Sequence, residues 1–481
     1  MSVKLFNTMT RRKEQFVPLE DGKVKFYVCG PTVYDYIHIG NGRAFTVFDV
    51  LRRFLEFLDY DVTYVMNLTD IDDKIIERAR QKNVEVDVIT RKFSQAFFQD
   101  LEQLGMKPAD VYPRATEHVD MIISLIQKLV EKSMAYESAG DVFFDVSKFA
   151  GYGKLSGKKL EELRVGARIS VDDKKRNPLD FVLWKAQKPG EPAWESPWGP
   201  GRPGWHIECS AMSMKYLGES FDIHAGGIDL IFPHHENEIA QSEGATNETF
   251  VRYWLHNGFL QLDGDKMSKS LGNFRTVRDI LKHYSGVEIR LFFLQKHYRS
   301  PFDLTEDGLQ SATQAASRLK IFYDKLTDKL SVEPVSRAPA DSAEQQPATA
   351  VLESVEALKA ELVEAMGDDL NTPVAVARLF DMVRETNKLL SRTQITQSDQ
   401  ALLRKIKDDI DAINSFLGVI DPRGKLLQTD LVGELVELLI EVRSDLRARK
   451  AWDLADKIRD QLKDKGIILE DKATTTEWRM P

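Results

Sequence analysis

Val24-Lys25-Phe26-Tyr27-Val28-Cys29 is a β-rich run that stops at Gly30-Pro31-Thr32. From Arg43 to Leu58 the apolar residues Val47, Val50, Leu51, Phe54, Leu55 and Leu58 recur at helical spacing, and Val62–Met66 supplies a second strand directly afterwards. Strand, glycine-containing turn, helix, strand is the opening of a parallel, doubly wound, Rossmann-like α/β sheet. The rest of that sheet is expected much later, at Phe221–Ala225 and Val251–Asn257, each short, β-rich and followed by a glycine. The sheet is therefore split, with another unit inserted between its halves.

Working outward, the inserted unit shows an amphipathic helix around Met121–Lys132 and an alternating strand at Asp141–Val146. Its stretch Lys148–Lys188 holds 11 Lys/Arg against 5 acids, which is either a basic face or a solvated loop. Beyond Gly272 the pattern turns helical, with long periodic segments near 276–298 and 305–331. Ser331–Ala350 is rich in Pro, Ala, Ser and Gln and reads as a linker. Helices at 351–366, 373–393 and 398–417 fit an antiparallel bundle. A small last unit follows Pro422-Arg423-Gly424, with helices near 430–448 and 451–465 and a short β segment at Gly466–Leu469. The expected organisation is a two-part catalytic domain (1–117 and 206–260), an inserted domain (118–205), a connecting region (261–310), an all-α bundle (311–420) and a small α/β unit (421–481).

The 481 residues are enough for three or four domains with cores of their own. A net charge of −9 argues against a uniformly basic nucleic-acid coat, and 42 % apolar residues argue against wholesale disorder. Two cysteines, at positions 29 and 209, cannot build a disulfide scaffold. No apolar run is long enough to span a membrane, and no apolar h-region follows the first residues, so a soluble, cytoplasmic protein is expected.

Three groups of residues carry chemistry. Tyr36-Ile37-His38-Ile39-Gly40-Asn41 lies between the first strand and its helix, where a histidine can donate to phosphate oxygens, Gly40 admits a nucleotide ring and a helix N-terminus favours anions. Lys266-Met267-Ser268-Lys269-Ser270 places two lysines three residues apart with hydroxyls beside them, a set that can hold a triphosphate and stabilise charge on departing pyrophosphate. The third group is Cys29, Cys209 and the run Pro233-His234-His235-Glu236-Asn237-Glu238. His234 and Glu238 share one helix face at i, i+4 and can grip one ion, whereas His235 is expected to point elsewhere. Two thiolates, an imidazole and a carboxylate suit Zn²⁺; read singly, a buried cysteine is more often a core residue than a ligand.

The first two motifs, one on each half of a split sheet, resemble those of class I aminoacyl-tRNA synthetases. One departure stands out: Asn41 occupies the place of the second histidine usual in that family, and asparagine can donate to a phosphate but carries no charge. The resemblance narrows to the cysteine-specific branch through Tyr27–Asp35, Asn67-Leu68-Thr69-Asp70-Ile71-Asp72-Asp73-Lys74-Ile75, Gly204-Trp205-His206-Ile207-Glu208-Cys209-Ser210 and His224-Ala225-Gly226-Gly227-Ile228-Asp229-Leu230, and it extends to Glu477-Trp478-Arg479.

That resemblance implies activation of L-cysteine on ATP, with Mg²⁺ on the phosphates, and transfer to tRNA(Cys) by a monomer. It implies one Zn²⁺ on Cys29, Cys209, His234 and Glu238. It further implies ATP contacts from His38, Gly40, Asn41, Gly227, Lys266, Ser268 and Lys269, of which His38, Lys266 and Lys269 are catalytic, and a cysteine pocket of Thr69, Trp205, His206, His224 and Asp229, with His256 beside it. The bundle and the last unit, where Arg443, Arg447, Arg449, Lys450, Lys457 and Arg459 cluster, would face the anticodon. Discriminating cysteine from serine by packing alone is weak, and a zinc-bound thiolate makes it strong without an editing domain. Two rivals stand beside this reading: an amide ligase of the mycothiol-pathway type passing cysteine to an amino sugar, which has little use for the residues after about 310, and a non-catalytic zinc RNA-binding protein, which has no use for Lys266–Ser270. A zinc hydrolase is weaker still, lacking a separate general base at metalloprotease spacing.

Overall fold

The structure, a computed structural model, describes residues 2–159, 173–262, 265–266, 275–335, 348–422, 428–464, 466–471 and 476–479. Four parallel strands form the central sheet in the order Val251–Asn257, Phe221–Gly227, Lys23–Val28, Asp61–Met66. Lys23–Val28 pairs along its whole length with Asp61–Met66, and its Phe26–Val28 pairs with Ile223–Ala225 on the other side. Val24, Phe26, Tyr27 and Val28 are all fully buried, as a central parallel strand covered on both faces requires. The two halves of the sequence therefore meet at adjacent strands, and the crevice at their carboxyl ends is where such sheets bind ligands.

The helix expected over Arg43–Leu58 begins earlier, at Ile39, and runs to Phe57. His38 is its N-cap and accepts the Asn41 amide N–H through Nδ1 at 3.1 Å. Ile39-Gly40-Asn41 is thus the first helical turn rather than a loop, and the cap is a ring nitrogen, which the usual Ser/Thr/Asp/Asn signal does not anticipate.

The insertion consists of the helix Val119–Glu131 and a four-stranded antiparallel meander, Ala135–Ser138, Asp141–Phe144, Phe181–Ala186 and Gly201–Pro203. Only the second of those strands was legible in the pattern. Several of its lysines are engaged in ion pairs: Lys174 with Asp141 at 2.7 Å, Lys185 with Asp73 at 2.5 Å, and Lys154 with Glu243. Residues 160–172 of the basic stretch lie outside the described residues.

The periodic segment 276–298 is two helices, not one. Val277–Leu281 and Gly286–Leu294 each start with a reciprocal capping box, Thr276 with Asp279 and Ser285 with Glu288. The second box sits where a continuous helix would have to pass, and it redirects the chain. Helices Glu306–Ser331, Ala348–Gly367, Thr372–Leu390 and Gln397–Leu417 form the bundle; most of the expected linker, 336–347, lies outside the described residues.

The bundle is packed into the same compact unit as the sheet, Met1–Asp421. Phe416 contacts both Phe54 and Phe57, the buried Arg290 joins Asp49 and donates to the Leu417 carbonyl at 2.7 Å, and Asp369, in the turn between two bundle helices, accepts from the Phe6 amide, the Tyr298 hydroxyl and Arg299. Pro422–Pro481 is a second compact unit, with helices Gln428–Ala448 and Trp452–Asp464 and a hairpin of Ile468–Asp471 and Thr476–Arg479. Within it Arg443 is buried and binds Asp471 through two bonds of 2.8 and 2.7 Å, with Arg447 on the same carboxylate. Two arginines of the expected anticodon cluster thus hold this unit together. No helix among the described residues is long and apolar enough to cross a membrane.

Candidate active site and metal centre

Cys29 leaves the central strand at the crevice. Cys209 comes from the helix Trp205–Leu217, His234 from the π-turn Ile231–His235, and Glu238 from the first turn of the helix Glu236–Thr246. Sequence places these donors far apart, and the adjacency of the two sheet halves brings them together. All four are buried, and one ligand atom from each lies within 4.8 Å of the others. The Cys29 and Cys209 sulfurs are 3.8 Å apart, Cys29 Sγ is 3.6 Å from Glu238 Oε1, and His234 Nε2 is 3.1 Å from the same oxygen. A tetrahedral zinc with bonds of about 2.0–2.3 Å has ligand-to-ligand edges of about 3.3–3.8 Å, so the residues present fit that ion.

Surrounding groups orient the donors. The His234 ring stacks on Trp205 at 4.2 Å between centroids and its Nδ1 meets His206 Nδ1 at 2.8 Å, which aims Nε2 at Glu238. Burial pushes the Cys29 thiol far up. The hydrogen bond from Cys29 pulls Cys209 down, but burial and the nearby Glu238 and Glu208 carry that thiol upward as well. Burial also holds the His234 and His235 imidazoles neutral, and it pushes those of His206 and His256 down to about 3. Neutral imidazoles are the form that ligates metal.

The expectation for His235 is corrected. Its Nε2 lies 3.4 Å from Cys29 Sγ and 3.8 Å from Glu238 Oε1, because His235 and Glu238 are i, i+3, a spacing that shares a helix face as i, i+4 does. Its Nδ1 continues to His256 Nε2 at 2.8 Å, and His256 Nδ1 to the Thr8 hydroxyl at 2.8 Å. His224 also stands behind the cluster, stacked on Tyr27 and 3.5 Å from Cys29 Sγ. Cys29, His224, His235 and Glu238 form a second donor group sharing two members with the first.

From the cluster a cavity of about 240 Å³ runs to the first turn of the helix Ile39–Phe57. Cys29, Cys209 and His234 line one end with Thr69, Trp205, Gly227 and Asp229; His38, Gly40 and Asn41 line the other, facing Asn257–Leu260. His206, His224 and His256 lie outside its wall. At Gly227 a Cβ would come within 2.5 Å of Asp229 Oδ1, so glycine is what lets that carboxylate enter the cavity. At Gly30 a Cβ would fall 1.7 Å from the Asn67 carbonyl, and the Gly30 amide donates to Asn67 Oδ1 at 2.9 Å. Because His38 Nδ1 accepts a backbone N–H, the proton of its neutral ring sits on Nε2, the donor a phosphate would meet.

The Lys266–Ser270 motif is only partly visible. Asp265–Lys266 pairs with Gln261–Leu262, while Ser268 and Lys269 lie outside the described residues. Both approaches to the segment are tied down: Leu260–Gln261 pairs with Phe302–Asp303, and the Ile39 amide donates to the Arg275 carbonyl at 3.0 Å while Val277 donates to Ile37 at 3.0 Å.

Residues 15–314 match the family model described as the class I (C) tRNA synthetase catalytic domain, and 361–421 match the DALR domain. The chain is 50 % identical over 479 residues to a cysteine–tRNA ligase of Thermococcus gammatolerans, covering 100 % of this chain and 99 % of that one, and 50 % identical over 491 residues to a cysteine–tRNA ligase of Syntrophotalea carbinolica, covering 100 % of both. Among solved structures, methionyl-tRNA synthetase of Mycobacterium tuberculosis in complex with methionyl-adenylate matches with a TM-score of 0.60 at 17 % identity, covering 87 % of this chain and 94 % of that one, which bears on the fold alone. With its split parallel sheet, four-donor cluster and matches spanning the whole chain, this protein belongs to the cysteine–tRNA ligase family of class I tRNA synthetases.

Proposed function

We propose that the chain activates L-cysteine with ATP, forming cysteinyl-adenylate and pyrophosphate, and transfers the cysteinyl group to the 3′ end of tRNA(Cys). The observation that carries this reading is the cavity itself: a buried two-thiol, imidazole and carboxylate cluster at one end and a helix N-terminus capped by His38 at the other. Cys29, Cys209, His234 and Glu238 hold Zn²⁺, with Trp205 and His206 fixing the His234 ring. When bound, the ion supplies a soft Lewis acid that favours a thiolate over a hydroxyl.

The chain's own residues do the rest by position and charge. Asp229 and Thr69 receive the substrate amino group and Trp205 covers its side chain. His38 Nε2, Asn41 and the Gly40 and Gly227 backbones receive ATP, with Mg²⁺ accompanying the phosphates. The substrate carboxylate oxygen attacks the α-phosphorus in line, the bond to the β-phosphate oxygen breaks, and Lys266 and Lys269 take up charge on the leaving pyrophosphate. Residues 311–420 and 421–481 serve the tRNA side, and the active species is a monomer in the cytoplasm.

The test is cysteine-dependent exchange of labelled pyrophosphate into ATP, with zinc measured on the same sample and serine as competitor. Dependence on cysteine and one zinc per chain is expected; equal exchange with serine would overturn the selectivity reading. Charging of tRNA against acylation of an amino sugar separates this function from the amide-ligase reading.

A further inference from the structure

Arg43, two residues past Asn41 on the same helix, is fully buried and is not among the residues that line the cavity. Its Nη1 donates to the carbonyls of Gly258 at 3.1 Å and Phe259 at 3.2 Å, and its Nη2 to those of His297 and Ser300 at 3.0 Å, with the Tyr298 carbonyl at 3.5 Å. No carboxylate pairs with it among the described residues, and burial lowers its pKa to about 10. The guanidinium also lies 5.3 Å from the centre of the Phe302 ring. A buried cation that collects only carbonyl oxygens from two separate chain segments is an expensive arrangement for stability alone, since each neutral acceptor returns less than an ion pair would.

What the two segments do explains its place. Gly258 and Phe259 line the same cavity as His38, Gly40 and Asn41, and the next residue, Leu260, adjoins Gly40, where an added Cβ would lie 3.7 Å from the Leu260 Cβ. Residues 297–300 back that wall: the Gly258 amide donates to the Tyr298 carbonyl at 2.8 Å, and a Cβ on Gly258 would lie 2.7 Å from the Arg299 carbonyl oxygen. Four of these carbonyls also accept a second bond, Gly258 from Asn257 Nδ2 at 2.8 Å, Phe259 from the Phe302 amide at 3.1 Å, His297 from the Ser300 amide at 3.0 Å and Tyr298 from the Gly258 amide, so Arg43 fills their remaining lone pairs and is the group that bridges the two segments to the helix. We infer that Arg43 is a positioning residue that sets the width of the nucleotide end of the cavity, by tying the Gly258–Phe259 wall to the helix that carries His38 and Asn41. This inference rests on the ATP-dependent activation proposed above.

Arg43→Lys keeps the charge but cannot reach both segments with one fork. The expected result in pyrophosphate exchange is a KM for ATP raised about 10- to 100-fold, with the KM for cysteine within twofold of the parent, because the cluster end of the cavity does not touch Arg43. In Arg43→Ala, millimolar methylguanidinium should restore part of the ATP affinity. On both variants hydrogen exchange should speed up in a peptide covering 255–262 and stay unchanged in one covering 23–28. An equal rise in both KM values, no change in either, or loss of helical circular dichroism in Arg43→Lys would overturn the inference, the last by assigning Arg43 to the global core. Failure of the parent protein to exchange pyrophosphate would instead sink the function on which it rests, and the peptide-exchange comparison would still decide whether Arg43 holds the wall.

Discussion

Cys29 Sγ and Cys209 Sγ stand 3.8 Å apart although 180 positions separate them in the chain. That distance is nearly twice a disulfide bond and equals the edge of a tetrahedron drawn around an ion with sulfur bonds of about 2.3 Å. Cys209→Ser should therefore lower bound zinc to well below one per chain and reduce cysteine-dependent exchange by more than about 100-fold, while the fold persists. Metal analysis and exchange on one preparation check it; full zinc with full activity would refute the ligand assignment.

Zinc binding should be steeply pH-dependent. Burial pushes the Cys29 thiol far up and, against the hydrogen bond from Cys29, raises Cys209 too, so both are protonated in the metal-free protein near neutrality. Binding then releases two protons, and affinity should rise by about 100-fold for each pH unit. Chelator competition at pH 6.5 and 7.5 measures the slope, and a slope near zero would show that the thiols are not the ligands.

Gly227→Ala tests the amino-group contact. The new methyl would sit 2.5 Å from Asp229 Oδ1, and the carboxylate is free to rotate away rather than strain the backbone. We expect the KM for cysteine to rise about tenfold with a melting temperature within a few degrees of the parent. A loss of stability with unchanged KM would remove Asp229 from the pocket.

Asp369 is a stability prediction. Its buried carboxylate accepts from Phe6 N, Tyr298 Oη and Arg299, and its φ of 64° lies in the left-handed region. Asp369→Ala leaves those donors unpaired and should cost about 3–5 kcal/mol in urea unfolding, with Asp369→Asn, which tolerates the same φ, costing less. Equal costs would show that charge and backbone conformation are irrelevant there.

Asp100 gives a second pH signature. Burial pushes its carboxyl up to about 6, against the pull of Arg278 at 2.8 Å. Because the folded state holds this proton more tightly than the unfolded chain, the contribution is complete below about pH 4 and is lost as pH rises through 6. Asp100→Asn lacks that dependence, so the stability difference between parent and variant should shift in favour of the variant from pH 4.5 to 7. A constant difference in urea midpoint across that range would contradict the raised value.

Most of the site could be read from residue types and order. Cys29, Cys209 and His234 carry scarce donor side chains, two Cys and nine His in the whole chain, and the i, i+4 spacing that singles out Glu238 is geometry that sequence states directly. His235 was expected to point elsewhere, because that reading used only the i, i+4 pair, whereas the i, i+3 spacing also sets His235 beside Glu238. Arg43 was invisible for a different reason: its partners are backbone carbonyls, which leave no trace in side-chain identity. The meander strands Phe181–Ala186 and Gly201–Pro203 are too short and mixed to announce themselves, and the Ser285 capping box was hidden inside an otherwise continuous apolar rhythm. Long-range pairing escapes any local pattern, as the bond from the Phe6 amide to Asp369 shows.

The pairing of Lys23–Val28 with Phe221–Gly227 also sets a schedule for synthesis. At about 5–20 residues per second, a ribosome needs roughly 10–40 s to advance from Cys29 to Glu238. During that interval the strand leading to Cys29 has no partner on one side, and the intervening meander has emerged before Phe221–Gly227 does. The four donors of the cluster thus first coexist only once Glu238 has been made, so the length of the insertion sets the earliest moment at which they can meet.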